Sequence, residues 1–476
     1  MKASPLSTIT TVNPATGQTL ATYTPMSDAD IGGALDAATV AQRHWATETF
    51  EHRADILRSA AAELRHRSKA LALLVTREMG KPIGESEAEV EKCAVGLEYY
   101  ADHAESFLAD EQVDTDADRS WVSYEPVGVV LAIMPWNFPL WQVFRFAAPA
   151  LMAGNATLLK HSSNTTGTAV ECEDVLSAAG LPPGLFTALI VADSDVPSVT
   201  ERLISDPRIG AVTITGSERA GSSVGSIAGR EVKKSVLELG GSDPFIVLAD
   251  ADLPRVANLA ARGRFLNGGQ SCISPKRFIV DEAVAPAFTE LLVECVANLT
   301  VGDPEDPDTQ VGPLARSDLR DAIARQVDSS VAAGATLLLG GAPLTDRPGN
   351  FYAPTILANV SAGMAVYDEE TFGPVATIIT VKGADEAVAV ANDTPFGLGA
   401  SVWGTDVDAA IAVGRGIRSG ACFVNALVAS DARMPFGGTK RSGYGRELAS
   451  AGIREFVNVR SWWAMTKPLD HAPASE

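Results

Sequence analysis

The sequence lacks the cysteine and histidine patterns of a disulfide-stabilised or zinc-binding protein. Its 476 residues include five cysteines and six histidines. The cysteines are widely spaced, odd in number and without a CxxC pair, and the histidines form neither an HxxxH nor an HExxH pattern. We therefore expect a protein of a reducing compartment, without a disulfide framework and without a metal site.

Long apolar runs and excess positive charge are also missing. The most apolar stretch, residues 127–153, is interrupted by prolines, an asparagine and an arginine, and the N-terminus has no apolar signal core. We expect a cytoplasmic protein with no membrane partner. Lys and Arg number 38 against 59 Asp and Glu, which gives a net charge of −21. Such an acidic surface repels nucleic acid, so we expect no nucleic-acid partner.

What the sequence does contain is an alternation of apolar β-rich runs with helical ones. Residues 28–48, 53–79 and 84–109 are predicted to be helical, with 53–79 read as one helix that Gly80 and Pro82 end. A first series of strands is predicted at 127–134, 156–160, 186–191 and 211–215, and a second at 244–248, 277–280, 336–341 and 376–381. This pattern predicts an α/β protein with two consecutive parallel-sheet domains.

The stretch "FLNGGQSCISPKRF", Phe265–Phe278, places Cys272 among small and polar residues. Free cysteines usually lie in apolar cores, whereas a reactive thiol needs access and space for a substrate. Gly268 and Gly269 allow a close backbone approach because they have no Cβ. Cys272 is therefore a candidate nucleophile, although an unreactive thiol is the commoner outcome for such a residue.

Four further features carry possible chemistry. Glu238, in "SVLELGGSDP", is either a general base or a solvent-facing strand residue. Asn137 lies between two prolines and either polarises an oxyanion or satisfies its own turn. Lys160 ends a strand and can bind a ribose or a phosphate, or remain solvated. Gly216 and Ser217 open a helix that could meet a phosphate, although the GxGxxG fingerprint is absent.

Taken together and in this order, these motifs resemble the aldehyde dehydrogenase family. The motifs are "PWNFP", "LLK", "TGS", "LELGG", "GQSC", "EETFGPV" (369–375) and "PFGGTKRSGYGRE" (435–447), and the resemblance runs from about residue 10 to the end. It implies an aldehyde-dehydrogenase-like fold with a dinucleotide-binding domain (1–106 and 127–240) and a catalytic domain (241–440). A small β bridging element (107–126 and 441–476) would join the subunits of a homodimer or homotetramer.

The resemblance also implies a mechanism. Cys272 would attack an aldehyde to form a thiohemiacetal whose oxyanion is held by Asn137. After hydride transfer to the nicotinamide, Glu238 would activate the water that hydrolyses the thioester. Lys160 is counted both with these catalytic residues and with the cofactor contacts. The implied cofactor contacts are Trp136, Lys160, Ser163, Gly216, Ser217, Gly221, Leu239, Glu370 and Phe372.

The cofactor is expected to be NADP or NAD. Family members that favour NAD carry a glutamate three residues beyond the lysine, and here that position is Ser163. Without the glutamate there is no carboxylate to repel a 2′-phosphate, so we expect NADP to be accepted. His161 replaces the proline that is common in the family, and the sequence offers no reason for it.

Within the family, the resemblance is strongest to bacterial enzymes that oxidise succinate semialdehyde. Arg145 follows "PWNFP" by six residues, where such enzymes place an arginine for the distal carboxylate, and Ser430 matches a second contact approximately. A further arginine of those enzymes is replaced here by Leu266. Arg264 and Arg433 are the candidates to compensate, and Arg433 is included in the predicted substrate site.

Three alternatives stay open at this point. The enzyme could prefer other semialdehydes or aliphatic aldehydes. It could pass the thioester to coenzyme A, although Glu238 as a water-activating base argues against this. It could also be a non-catalytic structural or binding relative, against which the intact set of core residues argues.

Overall fold

The computed structural model describes residues 8–466. The strands are β1 Ile9–Val12, β2 Thr19–Tyr23, β3 Glu111–Gln112, β4 Arg119–Pro126, β5 Val129–Met134, β6 Ala156–His161, β7 Phe186–Ala188, β8 Ile209–Thr215, β9 Lys234–Glu238, β10 Pro244–Val247, β11 Arg277–Asp281, β12 Thr336–Leu339, β13 Thr355–Ala358, β14 Val375–Val381, β15 Ser401–Trp403, β16 Phe423–Val424, β17 Gly443–Tyr444 and β18 Val457–Ala464. The α-helices are α1 Asp28–Trp45, α2 Phe50–His66, α3 Ser68–Met79, α4 Ile83–Phe107, α5 Trp141–Met152, α6 Thr166–Ala178, α7 Val196–Ser205, α8 Glu218–Arg230, α9 Leu253–Phe265, α10 Ala285–Ala297, α11 Ser317–Ala332, α12 Ala365–Asp368, α13 Gly383–Asn392, α14 Val407–Arg415 and α15 Ala449–Arg454.

The first sheet carries the motifs of the N-terminal half. Its six strands have the order β17-β9-β8-β5-β6-β7, and all pairings are parallel except that of β17 with β9. Strands β5, β6, β8 and β9 therefore end at one edge of the sheet, at Met134, His161, Thr215 and Glu238. Ligands of open parallel sheets bind beyond this edge. "PWNFP", "LLK", "TGS" and "LELGG" consequently meet there.

The second sheet starts soon after β9 along the chain, with β10 at Pro244. Its seven strands have the order β12-β13-β14-β11-β10-β15-β16, and β12 alone among them runs antiparallel to its neighbour. The loop that carries Cys272 lies between α9 and β11 and therefore meets the amino edge of β10 and β11, where the Lys276 N–H donates to the Asp243 carbonyl at 3.0 Å. The predicted fold class, two consecutive α/β units with parallel sheets, is confirmed.

Two details of the predicted elements are wrong. The segment 53–79 forms two helices, because Arg67 leaves helical geometry with φ −92° and ψ 6°. The strand predicted at 336–341 is a short, mostly exposed edge strand that ends at Leu339. The short strands β13, β15 and β16 escaped prediction because two to four residues show too little periodicity to separate a strand from a loop.

A third, three-stranded antiparallel sheet has the order β18-β4-β3, with Trp121 stacked on Trp462 at a ring distance of 5.3 Å. The segment 441–476, which was predicted to belong wholly to the bridging element, contributes to two different sheets. Strand β17 joins the first sheet, and the Tyr100 hydroxyl in α4 donates to the Ala449 carbonyl at the start of α15. Within this segment, residues 457–464 form the strand β18 of the third sheet. Residues 1–7 and 467–476 lie outside the described residues.

Many of the helices bury one apolar face and expose a polar one, although α5 is buried on all sides and α2 packs mainly on α4. Helix α2 buries its apolar stripe, whereas the opposite face carries exposed ion pairs such as Arg65 with Glu91. None of the helices between residues 8 and 466 combines the length and the apolar character needed to cross a bilayer. The same residues contain no group of three His, Cys, Asp or Glu side chains placed to bind a metal ion.

Candidate active site

The loop around Cys272 has an unusual backbone that its sequence permits. Asn267, Gly268 and Gly269 have φ values of 55°, 61° and 73°, in the left-handed region. A Cβ atom at Gly269 would lie 2.2 Å from the carbonyl oxygen of Gly373, so this position requires glycine. The tight turn leaves the Cys272 side chain half-buried and facing a cavity rather than a core.

Asn137 lies next to this loop. Its Nδ2 donates to the Gln270 carbonyl at 3.0 Å, and Asn267 Nδ2 donates to the Asn137 carbonyl at 2.7 Å. These bonds fix the asparagine against the loop, and both Asn137 and Cys272 line the same cavity. The second N–H of the Asn137 amide has no partner among the described residues, so it is available to an oxyanion that forms beside Cys272.

A buried lysine supports the loop from behind. Lys276 Nζ donates to the carbonyls of Ser271 and Cys272 at 3.0 and 2.7 Å, and it lies 3.6 Å from Glu370 Oε1. Burial raises the pKa of Cys272 to about 12, and the charges of Lys276 and Arg145 oppose that rise. The resting thiol is therefore protonated, and it must lose its proton when substrate and cofactor bind.

The cavity in front of Cys272, which we call the cofactor cavity, has a volume of about 400 Å³. Seven of the nine predicted cofactor contacts line it: Trp136, Lys160, Gly216, Ser217, Leu239, Glu370 and Phe372. Gly221 lies one layer behind, because a Cβ atom there would come within 2.3 Å of Leu239 Cδ2. The close packing of α8 on Leu239 thus depends on this glycine.

The residues of the cofactor cavity fit a nicotinamide dinucleotide. Helix α8 begins at the cavity with Ser217 as its N-cap, so its free N–H groups can meet a phosphate. Burial lowers the pKa of Lys160, and no carboxylate in residues 8–466 forms an ion pair with it. Glu370 accepts from the Gly241 N–H at 3.0 Å, which fixes its carboxylate for a ribose hydroxyl. An anionic, hydroxyl-rich ligand supplies the partners that these groups lack.

Ser163 lies outside this lining and faces a neighbouring groove. Its Oγ donates to Asp193 Oδ2 at 3.0 Å, and the Asp193 charge opposes the lowered pKa of Lys160. A carboxylate therefore stands beside Ser163 although the glutamate of NAD-preferring enzymes is absent. The absence of that glutamate thus does not leave this place without a carboxylate, because the loop after β7 places Asp193 there.

Glu238 lies at the end of β9, inside a cluster of buried charges. It is 2% exposed, and neither carboxylate oxygen has a hydrogen-bond partner among the described residues. Burial raises its pKa well above the ordinary value, and the Glu447 carboxylate adds to the rise, while Arg145 opposes it. Neither cavity at Cys272 includes Glu238 in its lining. Its role as the base therefore stays a prediction.

A second cavity, of about 720 Å³, opens on the other side of the Cys272 loop. Ser271 and Ile273, the two neighbours of Cys272, contribute to its wall, as do Lys92 and Ser430. Lys92 Nζ donates to Ser430 Oγ at 2.7 Å. Ser430 thus lies where a substrate contact is expected, together with a lysine that the sequence did not single out.

The three arginines that the sequence suggested as substrate contacts, Arg145, Arg264 and Arg433, do not line the second cavity. Arg145 is 3% exposed, forms an ion pair with Glu447 and donates to Thr215 Oγ1 at 3.3 Å, and it lines neither cavity. Its place as the receptor of a substrate carboxylate is corrected, because Glu447 already occupies the guanidinium. Arg433 is mostly exposed and pairs with Asp431, and it too lies outside both linings.

Arg264 cannot compensate for the arginine missing at position 266 either. It is fully buried, and its guanidinium donates to backbone carbonyls, among them that of Thr371 at 2.9 Å, and to Ser274 Oγ at 2.8 Å. Arg264 therefore joins the Cys272 loop to the loop that carries Glu370 and Phe372. Its role is to position the two loops.

Comparison with known proteins agrees with this geometry. The model of the aldehyde dehydrogenase family matches residues 1–462. The chain belongs to the aldehyde dehydrogenase family. A probable succinate-semialdehyde dehydrogenase [NADP(+)] from Synechocystis sp. is 50% identical over 455 residues, which cover 96% of this chain and 99% of that protein. The succinate-semialdehyde dehydrogenase [NADP(+)] of Mycolicibacterium paratuberculosis is 49% identical over 461 residues, 96% of each chain.

Solved structures of the family superpose closely on this chain. The succinic semialdehyde dehydrogenase from Streptococcus pyogenes, in complex with NADP+, superposes with a TM-score of 0.93 and is 37% identical. The match covers 96% of this chain and all of that chain. The predicted membership of the aldehyde dehydrogenase family is thus confirmed, and with it the expectation of an oxidoreductase.

For this aldehyde dehydrogenase, one unexplained sequence feature finds a structural reason. His161 is buried, its Nε2 lies 3.0 Å from the Pro139 carbonyl, and its Nδ1 accepts from the Ser162 N–H at 2.8 Å. Burial lowers its pKa to about 4, so the ring is neutral. His161 therefore joins "PWNFP" to the end of β6 and holds Asn137 and Lys160 in fixed relation.

Proposed function

We propose that this protein oxidises succinate semialdehyde to succinate with NADP, and also with NAD. The observation that carries the proposal is the position of Cys272, whose loop separates the cofactor cavity from a second cavity with an unpaired cation, Lys92. Relatives about half identical over almost the whole chain, named succinate-semialdehyde dehydrogenase [NADP(+)], support the same substrate and cofactor.

In the proposed mechanism, the Cys272 thiol transfers its proton to solvent and its sulfur bonds to the aldehyde carbon. The carbonyl electron pair moves to the oxygen, where the free N–H of the Asn137 amide and the Cys272 backbone N–H stabilise it. When bound, the nicotinamide supplies the acceptor for the hydride that leaves this carbon. The resulting thioester is attacked by water whose proton passes to Glu238, and the C–S bond breaks to release the acid and the thiol.

Cofactor binding in this proposal rests on the residues that line the cofactor cavity. Lys160 and Glu370 would hold the ribose hydroxyls, and Phe372 would lie against the nicotinamide. Trp136 meets Phe372 edge-to-face at a ring distance of 5.8 Å, so the aromatic wall is fixed. Gly216 and Ser217 would bring backbone N–H groups close to a phosphate.

We also propose that the protein works in the cytoplasm as a homodimer or homotetramer. All five cysteines are free, as a reducing compartment favours. The sheet of β3, β4 and β18 exposes Val459 and Trp463, each 57% exposed, on one edge strand. An apolar strand edge of this kind is suited to contact with a second subunit.

The proposed function is tested by steady-state kinetics with both cofactors and three aldehydes: succinate semialdehyde, glutarate semialdehyde and butanal. We expect kcat/KM to be at least about tenfold higher for succinate semialdehyde than for butanal, since one charged contact is worth about that factor. Cys272→Ala serves as the control and should abolish the reduction of cofactor. Equal kcat/KM values for the three aldehydes would contradict the substrate, although not the family.

A further inference from the structure

The second cavity contains a group of hydrogen-bond donors that has too few acceptors. Ser430 Oγ accepts from Lys92 Nζ at 2.7 Å and from Trp141 Nε1 at 3.0 Å. A hydroxyl oxygen has two lone pairs, and both are engaged by these donors. The Ser430 hydroxyl therefore has only its own proton to offer, and it needs an acceptor.

Lys92 has the same deficit. Its ammonium lies 4.4 Å from the centroid of the Trp141 ring, and Ser430 Oγ is the one hydrogen-bond acceptor that it reaches among residues 8–466. Two of its three N–H donors are left over. Burial lowers the pKa of Lys92 to about 8, as expected for a cation without a carboxylate partner.

The acidic residues near Lys92 are engaged elsewhere. Glu89 pairs with Lys81 and accepts from the backbone N–H groups of Leu140 and Trp141, both at 2.9 Å. Asp431 pairs with the exposed Arg433 at 2.6 Å. Glu85 also lines the cavity, but it accepts from the Asn267 N–H, and burial raises its pKa to about 7. No side chain in the described part of the molecule thus neutralises the Lys92 ammonium.

We propose that Lys92 and Ser430 together form the receptor for the distal carboxylate of the substrate. The inference rests on the proposed function, and it assigns the specificity to a lysine on α4 instead of Arg145. A carboxylate has two oxygens and about four lone-pair sites, which match the two free N–H groups of Lys92 and the free proton of Ser430. Ser271 and Ile273, the chain neighbours of Cys272, line the same cavity as Lys92 and Ser430, and the proposal requires the substrate to extend from this cavity to the Cys272 sulfur.

The test compares succinate semialdehyde with butanal, which has the same four-carbon chain but no charge. For Lys92→Met we expect kcat/KM for succinate semialdehyde to fall about 10- to 100-fold, while that for butanal changes less than about threefold. Ser430→Ala should act in the same direction with a smaller loss. The matched control is Lys69→Met, which removes the same charge from an exposed position on α3 and should leave both values unchanged.

A binding measurement separates a specific loss from a folding defect. Succinate should raise the melting temperature of the wild-type protein and of Lys69→Met, but not that of Lys92→Met. If the wild-type preference for succinate semialdehyde survives Lys92→Met, or if both aldehydes lose equally, the receptor is refuted while the proposed function stands. If the wild-type enzyme shows no preference for the charged aldehyde, the proposed substrate fails and the receptor fails with it.

Discussion

The cofactor cavity lies at the carboxyl ends of strands of the first sheet, whereas the second cavity lies between helices α4 and α9 and the loops of residues 271–275 and 425–430. Lys160 lies near the end of β6, and Ser217 and Leu239 follow β8 and β9, whose ends share one edge of the first sheet. In the second cavity, α4 brings Lys92, α9 brings Leu259, and the loop before β17 brings Ser430. The first wall is thus set by the topology of a parallel sheet, and the second by side-chain packing between distant segments.

We expect this structural difference to separate the residues that carry out the reaction from those that select the aldehyde. The strand ends lie in a sheet and, in the proposed function, would hold the cofactor and Asn137 in fixed positions, as a shared reaction requires. Helix faces accept substitutions one residue at a time without disturbing the sheet. A change of charge at Lys92 can therefore alter which aldehyde is preferred, while the reaction at Cys272 stays the same. Variants of residues that line one of the two cavities, and of Glu238, which lines neither, test this separation.

The largest effect is expected from Glu238→Gln, which lies outside both cavities. Without a base for the water, the thioester accumulates, so we expect a burst of reduced cofactor followed by a kcat that is about 100- to 10,000-fold lower. KM for the cofactor should change little, because Glu238 lines no part of its cavity. Stopped-flow absorbance at 340 nm measures the burst, and an unchanged steady-state rate would contradict the role.

The pH profile gives a second readout of the same residue. Burial and Glu447 raise the pKa of Glu238, so its carboxyl group stays protonated to a higher pH than an ordinary glutamate, and the protonated form cannot accept a proton from water. Hydrolysis in the wild-type enzyme should therefore rise as the pH rises through this raised pKa. Glu238→Gln has no such group and should lose that limb of the profile, whereas a merely structural glutamate would leave it in place.

A smaller effect is expected from Lys160→Met. It should concern the binding of the cofactor, whereas the effect of Lys92→Met concerns the choice of aldehyde. The Lys160 side chain lines the cofactor cavity and is proposed to bind the cofactor, so its loss should raise KM for NADP about 10- to 100-fold. The preference for succinate semialdehyde over butanal should not change. Kinetics with both aldehydes at saturating cofactor check this, and a shift in aldehyde preference would show that the two cavities are not independent.

The same contrast explains which parts of the site could be predicted from the sequence. Lys160 near the end of β6 and Gly216 after β8 lie at the carboxyl edge that their parallel strands share, which makes their meeting predictable, whereas Glu370 comes from the loop between α12 and β14 and was placed by the family resemblance. Lys92 lies within a helical pattern, where a lysine normally indicates a solvated face. Nothing in its neighbourhood along the chain shows that Trp141 and Ser430 enclose it.

Arg145 illustrates the complementary difficulty. Its spacing from "PWNFP" suggested a carboxylate partner, and it does have one, but the carboxylate is that of Glu447, about 300 residues later. A sequence pattern does not show which of two carboxylates, one in the protein and one in the substrate, takes the guanidinium. The same holds for Arg264, whose acceptors are carbonyls of two loops that meet only in the folded state.

The smallest effect is expected from Asp193→Asn at the far end of the cofactor side. Asp193 is exposed and accepts from Ser163 Oγ at 3.0 Å, so its carboxylate stands where the sequence suggested room for a 2′-phosphate. The charge is screened by solvent, and removing it should lower KM for NADP only about two- to fivefold, with a smaller change for NAD. The amide keeps an oxygen for Ser163, so the loop is preserved.

Titration of both cofactors at saturating aldehyde measures the ratio of the two KM values. A rise in KM for NADP would mean that Asp193 positions Ser163 for the phosphate instead of repelling it, and the cofactor preference would then depend on the Ser163–Asp193 pair rather than on Ser163 alone.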